Sequence, residues 1–281
     1  MDERIAVPWV QSRKRSRGAE PIVMITAYDE PFARLAAQAG VDIILVGDSL
    51  AEVVLGYENT LAIGIKDMVH HVAAVARARP RALVVADMPW LSYHTETFVA
   101  VRNAGRLVRS GASAIKLEGG RRRLPVVRAI LEAEIPVMAH LGLTPQSVHA
   151  MGGYKMQGRE LAEAEELVKD AVALAAAGCF AVVLEGVPDV LADRVTAELD
   201  VPTIGIGAGG GCDGQVLVLH DILGLTRKPA AKFVRRYLDL NAMVTGAISS
   251  FASDVRGGSF PAAAESYHGS SALREALAPR R

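Results

Sequence analysis

The sequence predicts an α/β fold in which parallel strands close into a (β/α)8 TIM barrel. Three observations carry that prediction. Eight short apolar runs, built mostly of Val, Ile, Leu and Ala, recur along the 281 residues. Helical patterns lie between most of them. Five consecutive runs, the second to the sixth, stop on a group able to do chemistry: Gly47-Asp48-Ser49, Asp87, Lys116-Leu117-Glu118, His140 and Glu185. Strands covered on both faces read as continuous apolar runs, as in a parallel sheet wrapped by helices. Strand and helix in alternation favour such a sheet, and eight strands favour its closure. The alternative is an open doubly wound sheet, which would gather its ligand groups at one switch point. Here they follow many different strands, as they do around the C-terminal mouth of a barrel.

The strands are predicted at 22–26, 42–46, 82–86, 114–117, 137–140, 181–184, 203–207 and 215–219. A helix over 29–38 carries Phe32, Leu35 and Ala36 on one side and closes at Gly40. Another over 97–109 carries Val101, Ala104, Leu107 and Val108, with Gly111 just beyond. A third, over 160–177, is rich in Ala, Leu and Glu and stops at Gly178. A fourth, over 188–199, opens on Pro188, a common first-turn residue. The phrases Ala39-Gly40-Val41-Asp42, Ser110-Gly111-Ala112-Ser113 and Ala177-Gly178-Cys179-Phe180 repeat one device, a capping glycine that feeds directly into the next strand. A closing helix is predicted over 229–251, with Phe233, Tyr237, Leu240 and Met243 on one side. Two connections, 50–66 and 142–159, are too long for plain turns and read as lids or binding loops. The chain is therefore expected to be a single barrel domain, 1–281, with a polar N-terminal arm over 1–20 and a loose tail over 257–281.

Composition narrows the function classes. Lys+Arg and Asp+Glu balance at 31 each, so no overall field draws the chain to nucleic acid or acidic membranes. Aromatic residues make up only 5%, too few for a base-stacking surface. The basic cluster Arg13-Lys14-Arg15 reads as part of a solvated tail or a packing arm. Cys179 and Cys212 lie far apart, outside any disulfide or zinc spacing. The N-terminal segment lacks the apolar core of a signal peptide, and the longest apolar stretch, 171–184, is too short to span a bilayer. The expectation is a soluble, cytoplasmic protein whose partners are small molecules, with no nucleic acid and no membrane.

Asp48, Asp87 and Glu118 are carboxylates after three successive strands. Oxygen ligands on rigid strand ends suit a hard cation such as Mg2+, which takes few protein groups and keeps positions open for substrate oxygens. Singly, each could cap a helix or pair with an arginine; crowded together they would repel one another unless a cation joined them. Lys116 and Glu118 lie two apart on one strand and so share a face. If that face is the barrel interior, the Lys116 ammonium can hold an anionic substrate beside the metal. Glu185, across the mouth after strand six, is placed to act as a general base. His140 can be a ligand, an acid or a hydrogen-bonded core histidine. The run Gly205-Ile206-Gly207-Ala208-Gly209-Gly210-Gly211 suits either phosphate or the close approach of a bulky cofactor, although it contains no basic residue.

Several stretches together resemble the ketopantoate hydroxymethyltransferase (3-methyl-2-oxobutanoate hydroxymethyltransferase) family. They are Ile25-Thr26-Ala27-Tyr28-Asp29, Leu45-Val46-Gly47-Asp48-Ser49, Ala86-Asp87-Met88-Pro89 and Ile115-Lys116-Leu117-Glu118-Gly119-Gly120. The most distinctive is His140-Leu141-Gly142-Leu143-Thr144-Pro145-Gln146-Ser147, continued by Gly152-Gly153-Tyr154-Lys155 and Gln157-Gly158-Arg159. Leu184-Glu185-Gly186-Val187-Pro188, the glycine run, Asp213-Gly214-Gln215 and His220-Asp221 complete the likeness, which spans roughly 20–268. One departure is local: Gly209-Gly210-Gly211-Cys212 is richer in glycine than the usual family loop.

The resemblance implies a (β/α)8 barrel of the phosphoenolpyruvate mutase/isocitrate lyase type. It implies hydroxymethyl transfer from 5,10-methylenetetrahydrofolate, as co-substrate, to 3-methyl-2-oxobutanoate, giving 2-dehydropantoate and tetrahydrofolate in pantothenate biosynthesis. It assigns the Mg2+ site to Asp48, Asp87 and Glu118, keto-acid contacts to Asp48, Ser49, Asp87 and Lys116, and the base to Glu185, which would form a Mg2+-stabilised enolate. His140 becomes a pocket-lining neighbour. The assembly implied is a homo-oligomer, a ring-stacked decamer.

Overall fold

Alternation along the strands sorts the side chains into two cores. In the computed structural model, which describes residues 4–226 and 231–279, eight strands form one closed parallel barrel. They are β1 (Ile22–Thr26), β2 (Ile43–Val46), β3 (Leu83–Asp87), β4 (Ala114–Glu118), β5 (Val137–Gly142), β6 (Ala181–Glu185), β7 (Thr203–Ile206) and β8 (Gly214–Leu217). Neighbours in sequence pair throughout, and β8 closes on β1 with Ile22 opposite Gly214. Each predicted strand is present. The eighth is shorter than expected, because the Leu219 N–H bonds the Thr26 hydroxyl at 3.0 Å and the chain turns there into a short helix.

Met24, Ile43, Leu45, Leu83, Val85, Met138, Val183 and Ile204 fill the barrel interior. Their strand neighbours Ile25, Ile44, Val84, Ile115, Leu117 and Val182 point outward, against the helices. The described residues form helices α1 (Val7–Gln11), α2 (Glu30–Gln38), α3 (Leu50–Val53), α4 (Ile65–Arg77), α5 (Thr97–Arg109), α6 (Leu124–Glu132), α7 (Val148–Met151), α8 (Leu161–Ala176), α9 (Asp189–Glu198), α10 (Leu219–Ile222), α11 (Leu240–Gly257) and α12 (Ser271–Ala276), not all of which pack on the sheet. Helix α4 shows how the outer layer is built: Met68, Val72 and Val75, at helical spacing, are its buried residues. Burial of one such side chain is worth about 1.5–3 kcal/mol, so the sheet-facing stripe, rather than helix propensity, holds the ring in place.

The N-terminal arm packs; it is not a solvated tail. Ile5 and Val10 are buried with the barrel interior, closing its N-terminal end. Lys14 reaches Asp213 at 2.9 Å and also donates to the Thr196 carbonyl at 2.7 Å. The Arg13 guanidinium lies over the Trp9 ring at 4.0 Å. The basic cluster is thus spent on contacts within the chain, because the open end of a barrel is apolar surface that must be covered.

The closing helix departs from expectation. It begins at Leu240, where Asp239 caps it by accepting the Ala242 N–H, and Phe233 and Tyr237 precede it. Positions 229 and 230 of the predicted helix lie outside the described residues. Segment 231–239 instead runs back along the barrel, with the Tyr237 N–H bonded to the Ile222 carbonyl at 2.8 Å. Helix α11 buries none of its residues; Met243, Ile248 and Phe251 are exposed. On the outer face of β1 and β8, where the last helix of a (β/α)8 ring would pack, an apolar groove of about 610 Å3 stays uncovered, lined by Val23, Phe32, Leu35, Val41, Leu217 and Ile222. Beyond α11 the chain forms a short helical turn at Ala263–Glu265 and then α12, both on the surface.

Candidate active site

Strand pairing brings the chemical groups to one level at the C-terminal mouth. Asp87 lies opposite Lys116, Glu118 opposite His140, and Gly142 opposite Glu185. Ala114 points into the barrel, so Lys116 and Glu118, at the same parity, do too. All seven residues singled out in the sequence, Asp48, Ser49, Asp87, Lys116, Glu118, His140 and Glu185, line one cavity of about 170 Å3. Gly142 sits at φ +92° and a Cβ there would stand 2.2 Å from the Glu185 carbonyl, so only glycine lets β5 and β6 meet at this height.

The contacts form a connected set. Asp87 accepts the Asp48 N–H on Oδ2 at 3.0 Å and faces the Lys116 ammonium with Oδ1 at 2.9 Å. Lys116 Nζ is 3.2 Å from His140 Nδ1. His140 places Nδ1 3.5 Å from Glu118 and Nε2 3.2 Å from Glu185. It therefore bridges the lysine and acid wall to the carboxylate across the mouth. The Ser49 hydroxyl shares a 2.9 Å hydrogen bond with that of Tyr28.

Three buried carboxylates, Asp48, Asp87 and Glu118, thus surround one buried ammonium. The surplus of negative charge is visible in Asp48, whose carboxyl is held well above its ordinary range by burial and then by Asp87 and Glu118. For Lys116, burial works to lower the pKa, but the same three carboxylates outweigh it and hold the ammonium charged. His140 behaves similarly. Burial and Lys116 disfavour its charge, the Glu118 and Glu185 carboxylates beside it outweigh them, and its pKa rises to about 9.

This donor set fits a hard divalent cation: oxygen-rich, net negative and short of counter-charge. Among the described residues, no three or more His, Cys, Asp and Glu side chains are arranged to hold an ion on their own. Mg2+ usually takes one or two carboxylates and fills its octahedron with water and substrate oxygens.

Sequence reasoning assigned no role to Gln146 or Tyr93, yet both are buried at the centre of the acids. Gln146 donates to Asp48 and to Glu118, and Tyr93 donates to Gln146. The available signals were that Gln146 lies in the long loop after β5 and within the most distinctive stretch of the family resemblance. That loop and the one after β2 both contribute to the cavity, through Pro145 and Tyr154 and through Glu52 and Thr60.

The glycine run plays a different part from the phosphate reading. Gly207, at φ +62°, packs under the Phe233 ring, which a Cβ would meet at 2.5 Å. Gly209 and Gly211 lie against the α9 acids Asp189 and Asp193. Carboxylates beside the loop make it a poor anion cradle. Of this region, Ile206 and Phe233 reach the cavity.

A closed parallel barrel with its charged groups on successive strand ends defines a (β/α)8 enzyme architecture. Solved structures share it. One is 2,3-dimethylmalate lyase, a phosphoenolpyruvate mutase/isocitrate lyase superfamily member, with a TM-score of 0.59 and 19% identity over 90% of this chain and 88% of that one. Another is phosphonopyruvate hydrolase in complex with oxalate and Mg2+, with a TM-score of 0.61 and 14% identity over 92% of each chain. At these identities the likeness is one of fold.

Residues 4–263 match the family model described as ketopantoate hydroxymethyltransferase, and the chain belongs to that family of enzymes. Proteins named 3-methyl-2-oxobutanoate hydroxymethyltransferase are similar over nearly the whole chain. That of Geobacter metallireducens is 54% identical over 253 residues, 90% of this chain and 95% of its own length. That of Methylobacterium sp. (strain 4-46) is 57% identical over 256 residues, 91% of this chain and 89% of its own.

Proposed function

We propose that this protein transfers a hydroxymethyl group from 5,10-methylenetetrahydrofolate to 3-methyl-2-oxobutanoate in pantothenate biosynthesis, as a Mg2+-dependent enzyme of the cytoplasm. The observation that carries this reading is the cavity itself: a buried surplus of carboxylates around Lys116 on one wall, with Glu185 on the other. Family membership and the names of its relatives support it. Asp48, Asp87 and Glu118 are the residues that would hold Mg2+, directly or through water. When bound, the cation supplies Lewis-acid polarisation of the keto group.

The chain's own residues do the rest. Lys116 and Ser49 neutralise and orient the substrate carboxylate. Glu185 takes the C3 proton, and His140, 3.2 Å away, stabilises the position of that carboxylate. One of the two carbon–nitrogen bonds of the folate-borne methylene opens as C3 bonds to that carbon, and water oxygen then replaces the second. The proton taken from C3 and one proton of the water end on the two folate nitrogens. Walls formed by Tyr154 and Phe233 at the cavity rim offer apolar surface for the pterin.

The test is an assay for methylenetetrahydrofolate-dependent consumption of 3-methyl-2-oxobutanoate, with and without Mg2+. Loss of one general base commonly lowers kcat by about 10^2–10^4-fold. Glu185→Gln should show such a drop and should no longer exchange the C3 hydrogen with deuterium oxide, while keto-acid binding is kept. Exchange that persists would assign the base elsewhere.

We also propose that copies of the chain assemble as a homo-oligomer, a decamer by the family pattern. Two faces that no described residue covers support this: the exposed apolar side of α11 and the groove on β1 and β8. Helix α11 of a second copy suits that groove in its apolar chemistry. Light scattering should find an oligomer that Ile248→Asp weakens; a monomer at micromolar concentration would overturn the assembly.

A further inference from the structure

Gln146 occupies the helical turn Pro145–Ser147 and is only 6% exposed. Its backbone N–H donates to Glu118 Oε2 at 3.0 Å. Its side-chain Nε2 donates to Asp48 Oδ2 at 2.8 Å and to the Met88 carbonyl at 2.9 Å. Its Oε1 accepts the Tyr93 hydroxyl at 2.7 Å. The Glu118 N–H in turn donates to the Tyr93 oxygen at 3.1 Å. One residue thus joins the ends of β2, β3 and β4.

The bonds also settle the direction of the amide. A carbonyl oxygen only accepts, so Met88 must receive one Nε2 hydrogen. With the amide reversed, Gln146 Oε1 would face the Met88 carbonyl and the Asp48 carboxylate, oxygen against oxygen. The Tyr93 oxygen receives the Glu118 N–H, and of the two acceptors near its own hydrogen, Gln146 Oε1 at 2.7 Å is much closer than the Glu118 carbonyl at 3.4 Å. Gln146 therefore occupies one oxygen of Asp48 and one of Glu118. It leaves Asp48 Oδ1 for whatever enters the cavity, while Glu118 Oε1 faces His140 Nδ1 at 3.5 Å.

We propose that Gln146, held by Tyr93, is the positioning residue that sets the spacing and orientation of the Asp48 and Glu118 carboxylates for divalent-cation binding. The inference rests on the proposed Mg2+ site and adds to it the residue that shapes it. Partners that orient ligating carboxylates typically contribute about 10–100-fold to metal affinity. A loop anchor with no role at the site would act through the backbone N–H, and that bond survives any side-chain substitution.

The experiment is Mn2+ binding to the full chain, followed by electron paramagnetic resonance and by displacement with Mg2+. Gln146→Met keeps length and bulk but removes the amide, and should weaken Mn2+ binding about 10–100-fold. Tyr93→Phe removes a group that does not touch Asp48, and should weaken binding in the same direction by less. The double variant should lose less than the sum of the two single losses, because the Tyr93–Gln146 bond is shared, although Tyr93 also receives the Glu118 N–H directly. If Mn2+ affinity is unchanged in both folded variants, or if their losses simply add, Gln146 is not the positioning residue. If wild-type protein binds Mn2+ but transfers no hydroxymethyl group, the proposed function fails while this role can stand.

Discussion

Two buried lysine–aspartate pairs sit at opposite ends of the barrel, each 2.9 Å long. Their side chains are nearly inaccessible, 3% and 1% exposed for Lys14 and Asp213, 6% and 5% for Lys116 and Asp87. Their surroundings differ. At the N-terminal end, Asp213 also accepts the Arg15 N–H at 2.8 Å and the Thr203 N–H at 2.9 Å. Lys14 donates a second bond to Thr196. Charge is balanced and donors are matched, which is how a buried pair offsets the several kcal/mol each ion loses on leaving water. At the C-terminal end Lys116 faces Asp87 with Asp48 and Glu118 beside it, and an open cavity lies above. The first pair is complete without a ligand. The second is short of positive charge, and the protein's stability is spent on keeping it so. Contact geometry alone does not separate structural from functional ion pairs; the balance of the neighbourhood does.

The comparison breaks most clearly at the complete end. Lys14→Ala should destabilise the protein by about 3 kcal/mol, the low end for breaking a buried pair, because backbone N–H groups still hold Asp213. Urea unfolding would show a lower midpoint, and turnover per folded molecule should be unchanged. Cys212, whose carbonyl accepts the Arg15 guanidinium, is buried and its thiol pKa is raised chiefly by that burial. Its alkylation should therefore quicken in Lys14→Ala and not in variants of the mouth. An unchanged unfolding midpoint would mean that the arm is not anchored through this pair.

At the incomplete end the sign should reverse, with a smaller effect. Asp48→Asn removes a carboxylate that burial, Asp87 and Glu118 all disfavour, and its amide oxygen can still accept from Gln146. Metal-free protein should gain about 1 kcal/mol, in the range of stabilising changes at strained functional sites, while Mn2+ binding is lost. Thermal unfolding with and without metal checks both halves. A destabilised Asp48→Asn protein would show that the carboxylate is already balanced and that the mouth needs no cation.

Much of the site was legible in the sequence. The acids at the ends of β2 to β4, Lys116 and Glu185 follow apolar runs that could only be buried strands, and parallel pairing then brings their ends to one level. Lys116 and Glu118 share the interior because the strand period is two. Tyr93 and Gln146 were not legible. Gln146 meets Asp48 across 98 positions of sequence, and neither residue sits at a strand end. The sequence left the N-terminal arm open between a solvated tail and a packing arm for a related reason: Arg13-Lys14-Arg15 has the composition of a solvated segment, and the aspartate that buries Lys14 lies 199 positions away. Segment 231–239 was read as helix because its apolar spacing fits one, whereas Phe233 is claimed by Gly207 and Asp239 caps the helix later.

By itself, then, the sequence determined the barrel and which groups crown its strands, since both depend on local periodicity and on the number of strands available to close. The tertiary structure alone decided which lysine–aspartate pair is complete, which glutamine orients the acids and where the last helix leaves the barrel. Those outcomes depend on distances between residues far apart in the chain, and no local pattern encodes them.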